Sequence, residues 1–190
     1  MNHKHDYFWF KNILSKDQLI ELHMLTHLHY DKEWKDHPAQ ARDNKPLKNI
    51  TDLKPVGWKH IKHLLHRAYE NIKVINIQNF GFHIYDLTDL DLCLHNTYGE
   101  TNKGAYDWHY DGSNDFSHTY RFTVLINTSL EKYEGGDFNL FVVGGAIKIP
   151  ELEVPGNMII FRSEMLHRVT PVIKGTRNTL SFFLKGPKYV

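Results

Sequence analysis

Cysteine is almost missing from this 190-residue chain. Cys93 is the only one, so an internal disulfide is excluded, and its place in the apolar run Leu90 to Leu94 marks it as a buried thiol. Long apolar runs are missing too: no stretch approaches the roughly eighteen residues that a membrane-crossing helix needs. The opening MNHKHDYFWF lacks the apolar stretch and cleavage site of a secretory leader, so the expected compartment is the cytoplasm, with no membrane partner. Nor is there an excess of charge of either sign. With 23 Lys and Arg against 22 Asp and Glu, no global field gathers phosphate backbones, and nucleic acid is not expected as a partner. Internal repeats and low-complexity tracts are likewise lacking. A chain of this length supports one well-buried core, so a single domain over 1–190 is expected, with a helical buttress at 1–78 and a β core at 79–190.

What is present divides by periodicity. Ser15 with Gln18 three residues on forms a capping box, and Leu19, Leu22, Leu25 and Leu28 recur at helical spacing, which predicts a helix between Asn12 and Tyr30. The polar stretch from Asp31 to Pro46 reads as a loop, and 31–50 is a candidate lid. Trp58, Ile61, Leu65, Ala68 and Ile72 mark a second amphipathic helix, opening near Pro55 and ending before Phe80. Beyond Phe80 the text changes to short β-rich runs punctuated by Gly, Pro and Asn, expected near 81–87, 90–98, 105–110, 119–127, 137–143, 145–149, 157–162, 166–172 and 177–184. The fold class that follows is mostly β with N-terminal helices, a jelly-roll sandwich or barrel buttressed on one outer face by two α-helices.

The chemistry begins at His109-Tyr110-Asp111. With 14 His and 13 Asp in the chain, about one His-x-Asp arises by accident, so the tripeptide needs a supporting context. His29-Tyr30-Asp31 is the same tripeptide in the wrong context, because residues two apart on a helix point to nearly opposite sides. At 109 and 111 the surroundings read as a strand end, where i and i+2 share a face and can offer an imidazole and a carboxylate to one ion. A third ligand must come from elsewhere in the sheet, as in the facial triad of two histidines and one carboxylate that leaves three positions of Fe(II) open. His167 is the best candidate, opening a new strand after the Pro155-Gly156 turn and the apolar strand Met158 to Phe161. Ten residues later comes Arg177. A hairpin about Ile173-Lys174-Gly175-Thr176 is expected to set His167 and Arg177 side by side, where the guanidinium can clamp a carboxylate by two parallel hydrogen bonds.

These residues carry a family likeness. His109-x-Asp111, Tyr133-Glu134-Gly135-Gly136-Asp137-Phe138, Pro155-Gly156-Asn157-Met158-Ile159-Ile160-Phe161, and Leu166-His167-Arg168-Val169-Thr170-Pro171-Val172 with Arg177 resemble, in order, the prolyl and lysyl hydroxylase branch of the 2-oxoglutarate oxygenases, the bacterial PKHD-type hydroxylases in particular. The resemblance spans roughly residues 80 to 186. It implies a distorted, cupin-like double-stranded β-helix, with His109, Asp111 and His167 as ligands of Fe(II) and Arg177 on the distal carboxylate of 2-oxoglutarate. It also implies dioxygen as the second cosubstrate, and decarboxylation to succinate coupled to hydroxylation of a C–H bond. Tyr98 matches a family tyrosine that donates to the cosubstrate. Asn96 shares its face in the Asn-x-Tyr pattern of nucleic-acid demethylases of the same superfamily, and Thr179, two residues after Arg177, offers a hydroxyl to the same carboxylate. Where some prolyl hydroxylases carry a tyrosine on the strand before Asn127, this chain has Leu125, which leaves Arg177 to work with Tyr98 or Thr179. Charge supports the assignment: Fe(II) at +2, Asp111 at −1, Arg177 at +1 and 2-oxoglutarate at −2 sum to zero in a pocket where an unpaired charge is costly.

The expected activity is hydroxylation of an unactivated C–H bond on a prolyl or other amino-acid side chain, carried by a peptide, protein or amino-acid-like substrate, with segment 99–107 at the mouth. Two rivals are a nucleic-acid demethylase of the same superfamily and a non-catalytic jelly-roll binder of metal or ligand. Other polar clusters have plainer readings. His60, His63 and His66 with Lys59, Lys62 and Arg67 read as a solvated helix face. His23 and His27 lack the Glu of a zinc-protease helix, and Trp108 and Tyr110 point away from the ligands on a regular strand.

Overall fold

Local sequence logic sets both helices. In the computed structural model, which describes residues 5–32, 51–112 and 118–187, the Ser15 hydroxyl accepts from the Gln18 N–H at 3.3 Å and the Gln18 side chain accepts from the Ser15 N–H at 2.9 Å. Both halves of the capping box therefore open α1 (Lys16–His29). Its buried face is Leu19, Leu22 and Thr26, whereas Leu28 is 71% exposed: the leucine stripe turns to the surface in the last turn. Residues 33–50, which hold most of the expected loop and lid, lie outside the described residues.

The edge strand β2 (Asp52–Gly57) runs directly into α2 (Trp58–Ile75). Pro55 belongs to this strand and not to the helix start. Its position at a sheet edge tolerates the missing N–H, and its carbonyl accepts from Asp31 N–H at 2.9 Å. Trp58, Ile61, Leu64, Leu65, Ala68 and Ile72 recur every three to four residues and form the buried stripe of α2. A wider π-turn, Asn76–Phe80, closes the helix, and Gly81 takes φ +66° to end it.

The strand expected over 81–87 is not there. The side chain of Asn76 takes both the N–H and the C=O of Phe82, Tyr85 N–H goes to the Lys185 carbonyl, and Leu87 N–H goes to the Tyr69 hydroxyl. Its backbone groups are satisfied one at a time by such partners, so the apolar alternation of Phe82 and Ile84 packs on the core without joining a ladder.

Two antiparallel sheets form the rest. The larger is ordered β1 (Tyr7–Phe10), β9 (Met158–Arg162), β5 (His118–Asn127), β12 (Thr176–Pro187), β3 (Leu92–Gly99) and β2. The smaller is ordered β4 (Tyr106–His109), β10 (His167–Val169), β7 (Phe138–Val142) and β8 (Gly145–Lys148), with β6 (Glu134–Gly135) and β11 (Val172–Lys174) paired beside it. One face of the larger sheet, carrying Val124, Ile126, Ile160, Leu180 and Phe182, packs under the helices. Its other face meets the smaller sheet through Ile159, Phe161, Phe138, Leu140 and Val169. This is the expected mostly β architecture with two helices on one outer face. No described helix is long and apolar enough to cross a membrane.

The alternation along β12 locates the site. Leu180, Phe182 and Leu184 face the helices, while Arg177, Thr179, Ser181 and Phe183 face the smaller sheet and line a cavity. A central strand covered on both sides ordinarily reads apolar on both. Here three of four inward positions are polar and buried, Arg177 at 1%, Thr179 at 2% and Ser181 at 6% exposed.

Candidate metal centre

His109 and His167 are register partners on neighbouring strands β4 and β10, with ring centroids 4.1 Å apart. Asp111 lies two residues past the end of β4. Its backbone N–H donates to the Ser163 carbonyl at 2.9 Å, which turns the chain so that the carboxylate reaches the imidazoles. Asp111 Oδ1 lies 3.9 Å from His109 Nε2 and Oδ2 lies 3.4 Å from His167 Nε2, and one ligand atom from each residue falls within 4.8 Å of the others. Ligands about 2.1 Å from an ion and at right angles sit about 3 Å apart, so small side-chain shifts suffice to enclose one.

The tautomers suit a metal. His109 Nδ1 is 2.7 Å from the Asp107 carbonyl and His167 Nδ1 is 2.9 Å from the Met165 carbonyl. A carbonyl only accepts, so each Nδ1 carries the hydrogen and each Nε2 turns a lone pair toward Asp111. Burial, reinforced by the neighbouring His167, holds His109 down to about 4, and burial holds His167 down to about 4. Both rings are therefore neutral near pH 7, and their approach to Asp111 is not a salt bridge but a set of lone pairs facing one point. Burial pushes the Asp111 carboxyl up, opposed by the electrostatic effect of His109 and by a hydrogen bond from Thr123. Among the described residues this is the one His, Cys, Asp and Glu cluster with metal-ligand spacing.

The centre opens into a cavity of ≈ 210 Å³ between the sheets. Asn96, Tyr98, His109, Asp111, His167, Arg177 and Thr179 all line it, so every residue singled out from the sequence is brought to one place. The expected hairpin is not what does so. After β10 the chain passes through β11, which pairs with β6, and Gly175 then carries it into β12 of the other sheet. His167 and Arg177 face each other across the cavity from opposite sheets, because β10 pairs with β4 and β7 while β12 pairs with β3 and β5.

Among the described residues Arg177 is the largest fully buried side chain, and its Nε and Nη1 have no hydrogen-bond partner there. A buried cation with unmet donors is costly unless a ligand completes it. Its guanidinium lies 5.3 Å from the ring of Tyr98, its register partner on β3. Gly136, at φ +64°, leaves room for the arginine stem: an added Cβ would lie 2.8 Å from Arg177 Cδ. Asn96 is committed elsewhere, since its amide nitrogen donates to the Leu94 carbonyl and the Ser181 hydroxyl, each at 3.1 Å.

Four contributors escaped the sequence reading. Tyr106 stacks on His109 at 3.7 Å between ring centroids, Thr123 and Ser163 stand behind Asp111, and Ser181 extends the polar row of β12. Thr123 and Ser181 were accessible through strand parity with Leu125 and Thr179; Ser163 carried no local signal. The plainer clusters are plain here too. His63 pairs with Glu21 at 3.0 Å, His29 stacks on His60, and Trp108 lies under Arg168 on the outer side of the smaller sheet.

The comparisons agree with this geometry. Residues 93–185 match the family model of the 2OG-Fe(II) oxygenase superfamily. A search of curated protein sequences finds no match. Among solved structures, a prolyl-4-hydroxylase from Pseudomonas putida is similar at TM-score 0.66 and 16% identity, over 97% of this chain and 95% of that one. A prolyl hydroxylase from Trichoplax adhaerens, in complex with a hypoxia inducible factor oxygen degradation domain peptide fragment, is similar at TM-score 0.67 and 16% identity, over 95% and 84%. The viral collagen prolyl hydroxylase of Paramecium bursaria Chlorella virus-1 is similar at TM-score 0.63 and 14% identity, over 96% and 97%. At these identities the structures establish the fold, the double-stranded β-helix expected from the sequence. The family match takes in residues 93–185, just under half of the chain, and contains the whole His-Asp-His cluster suited to iron, so the region that holds the site is similar to the 2OG-Fe(II) oxygenase superfamily, which uses Fe(II), 2-oxoglutarate and dioxygen.

Proposed function

We propose that His109, Asp111 and His167 hold Fe(II), that Arg177 anchors the distal carboxylate of 2-oxoglutarate, and that the chain hydroxylates an unactivated C–H bond on a prolyl or other amino-acid side chain. The overall change is R–H plus 2-oxoglutarate plus O₂ giving R–OH, succinate and CO₂. The carrying observation is the buried guanidinium of Arg177, with Nε and Nη1 unmet, facing the three metal-ligand side chains across one cavity. The iron supplies oxidative chemistry that no side chain here performs.

The residues of this chain bind, orient and exclude. The hydrogen bonds to the Asp107 and Met165 carbonyls hold both imidazole planes, so the rings need only small shifts when metal arrives. Among the described residues Arg177 supplies the single fixed positive charge in the cavity wall, far from water, where its pull on a dicarboxylate is strong. Tyr98 and Thr179 flank it and extend the polar end. Leu53, Leu94, Phe138 and Phe183 give an apolar remainder that suits an uncharged side chain. The peptide fragment in the Trichoplax complex is that enzyme's ligand; it supports a peptide-borne substrate for this chain by likeness of fold.

The test is an anaerobic titration with Fe(II) and then 2-oxoglutarate. A visible metal-to-ligand charge-transfer band is expected. It should vanish in His109→Ala, weaken in Arg177→Ala and persist in Asp31→Ala, which removes the carboxylate of the other His-x-Asp. Wild-type bands and affinities in both of the first two variants would refute the assignment.

A further inference from the structure

Behind Asp111 stands a short chain of hydroxyls. Thr123 Oγ1 lies 2.6 Å from Asp111 Oδ2 and 3.0 Å from Ser163 Oγ. Thr123 is 1% exposed and Ser163 is fully buried. The direction of the hydrogen bonds follows from valence. A threonine hydroxyl has one hydrogen, and the shorter contact is to a carboxylate oxygen that can only accept, so Thr123 donates to Asp111 and accepts from Ser163. Resting on the reading of Asp111 as a metal ligand, we propose that Thr123, polarised by Ser163, is a positioning residue that holds Asp111 Oδ2 and leaves Oδ1 as the single oxygen offered to the metal.

Three observations carry this. First, Ser163 grips Asp111 twice, through the relay and through its own carbonyl, which accepts the Asp111 N–H at 2.9 Å. Both the plane of the carboxylate and the backbone that bears it are therefore set by one residue. Second, β5 presents Phe122, Val124 and Ile126 to the helices and Thr123 and Leu125 to the cavity side. Valine has the shape of threonine and suits a strand equally well, so packing alone does not call for a hydroxyl at 123. Third, every hydrogen-bond contact of that hydroxyl points at the site: it has no partner other than Asp111 and Ser163 among those found for it. Without it, Asp111 would keep a buried, unsatisfied oxygen free to turn toward the ion. A carboxylate using both oxygens would take one of the three positions that a facial triad leaves open.

The test measures Mn(II) binding to the full chain by electron paramagnetic resonance, with thermal unfolding of the metal-free protein alongside. Thr123→Val should weaken Mn(II) binding about 10- to 100-fold, and Thr123→Ser, which restores the hydroxyl, should return it to within about threefold. Ser163→Ala should weaken it less, about three- to tenfold, and should add nothing in the Thr123→Val background, since it acts only through Thr123. Wild-type Mn(II) affinity in Thr123→Val, or full additivity of the pair, overturns the relay. If Thr123→Val does not fold, Ser163→Ala decides alone, and wild-type affinity there overturns the relay equally. Asp111→Ala separates the two levels: if it binds Mn(II) as the wild type does, the metal-centre reading itself is wrong, whereas its failure to bind beside a normal Thr123→Val removes the relay only.

Discussion

A single missing atom shapes the anion end of the cavity. Gly136 sits at φ +64°, and a Cβ there would lie 2.8 Å from Arg177 Cδ and 3.1 Å from Val172 Cγ2. Gly136→Ala is thus strained in its backbone and pushes the stem of the proposed anchor. The expected outcome is 2-oxoglutarate affinity reduced by tenfold or more, on the order of what a misplaced binding group costs, with Mn(II) affinity unchanged. Equilibrium titration of each ligand checks this, and an unaltered 2-oxoglutarate affinity would show that the stem has space to yield. At this scale the sequence was informative where a residue type is rare in its context. An arginine amid a β-rich run and a His-x-Asp at a strand end stand out, whereas Thr123 and Ser163 do not, because hydroxyls are common in strands and turns and their partners are 12 and 40 residues away.

Among elements, those governed by local rules were legible and those governed by pairing were not. The capping box at Ser15 and the stripe of α2 are local, and both helices stand within a few residues of expectation. Strands β1 and β2 lack the alternation of a half-buried strand, and β2 contains Pro55, so neither was foreseen. The opposite error occurred over 81–87, where apolar alternation exists but the backbone bonds go to the Asn76 side chain, the Tyr69 hydroxyl and a single carbonyl of β12, that of Lys185, and build no ladder. A hairpin between His167 and Arg177 was the simplest closure of a ten-residue interval; the detour through β11 depends on β6, some forty residues upstream, and no interval rule contains that. The element most responsible for covering the larger sheet is α2, through Ile61, Leu65 and Ala68, each with no exposed surface. Leu65→Ala should cost about 2–5 kcal/mol, while Leu28→Ala, on the exposed last turn of α1, should stay within about 0.5 kcal/mol of wild type. Urea unfolding of both variants measures the contrast; equal midpoints would mean that the stripe does not carry the helix.

Across the whole molecule, burial of uncharged imidazole couples folding to acidity. His95, 4% exposed, is held down to about 3 by burial, with His23 and Lys54 adding to the effect, and His109 and His167 are both held down to about 4. In the unfolded chain these rings protonate near 6.5. Above that value neither state binds the proton and stability is at its plateau. Below it the unfolded state takes up protons that the folded state refuses, so stability falls from about pH 6.5 toward pH 3 to 4, by about 1.4 kcal/mol per pH unit for each ring. Metal-free protein unfolded in urea between pH 7 and pH 4.5 should show this slope, reduced by about one ring's share in His95→Gln; a flat profile in the wild type would contradict it. The same economy of position governs how such a protein can change. On β12 the odd residues from Arg177 to Phe183 belong to the cavity and the even ones from Leu180 to Leu184 to the hydrophobic interior, so inserting or deleting a single residue there would turn the strand inside out. Any drift in what the cavity accepts must therefore proceed by exchange of side chains at fixed length along that strand, never by lengthening it, and changes of length are left to segments outside it.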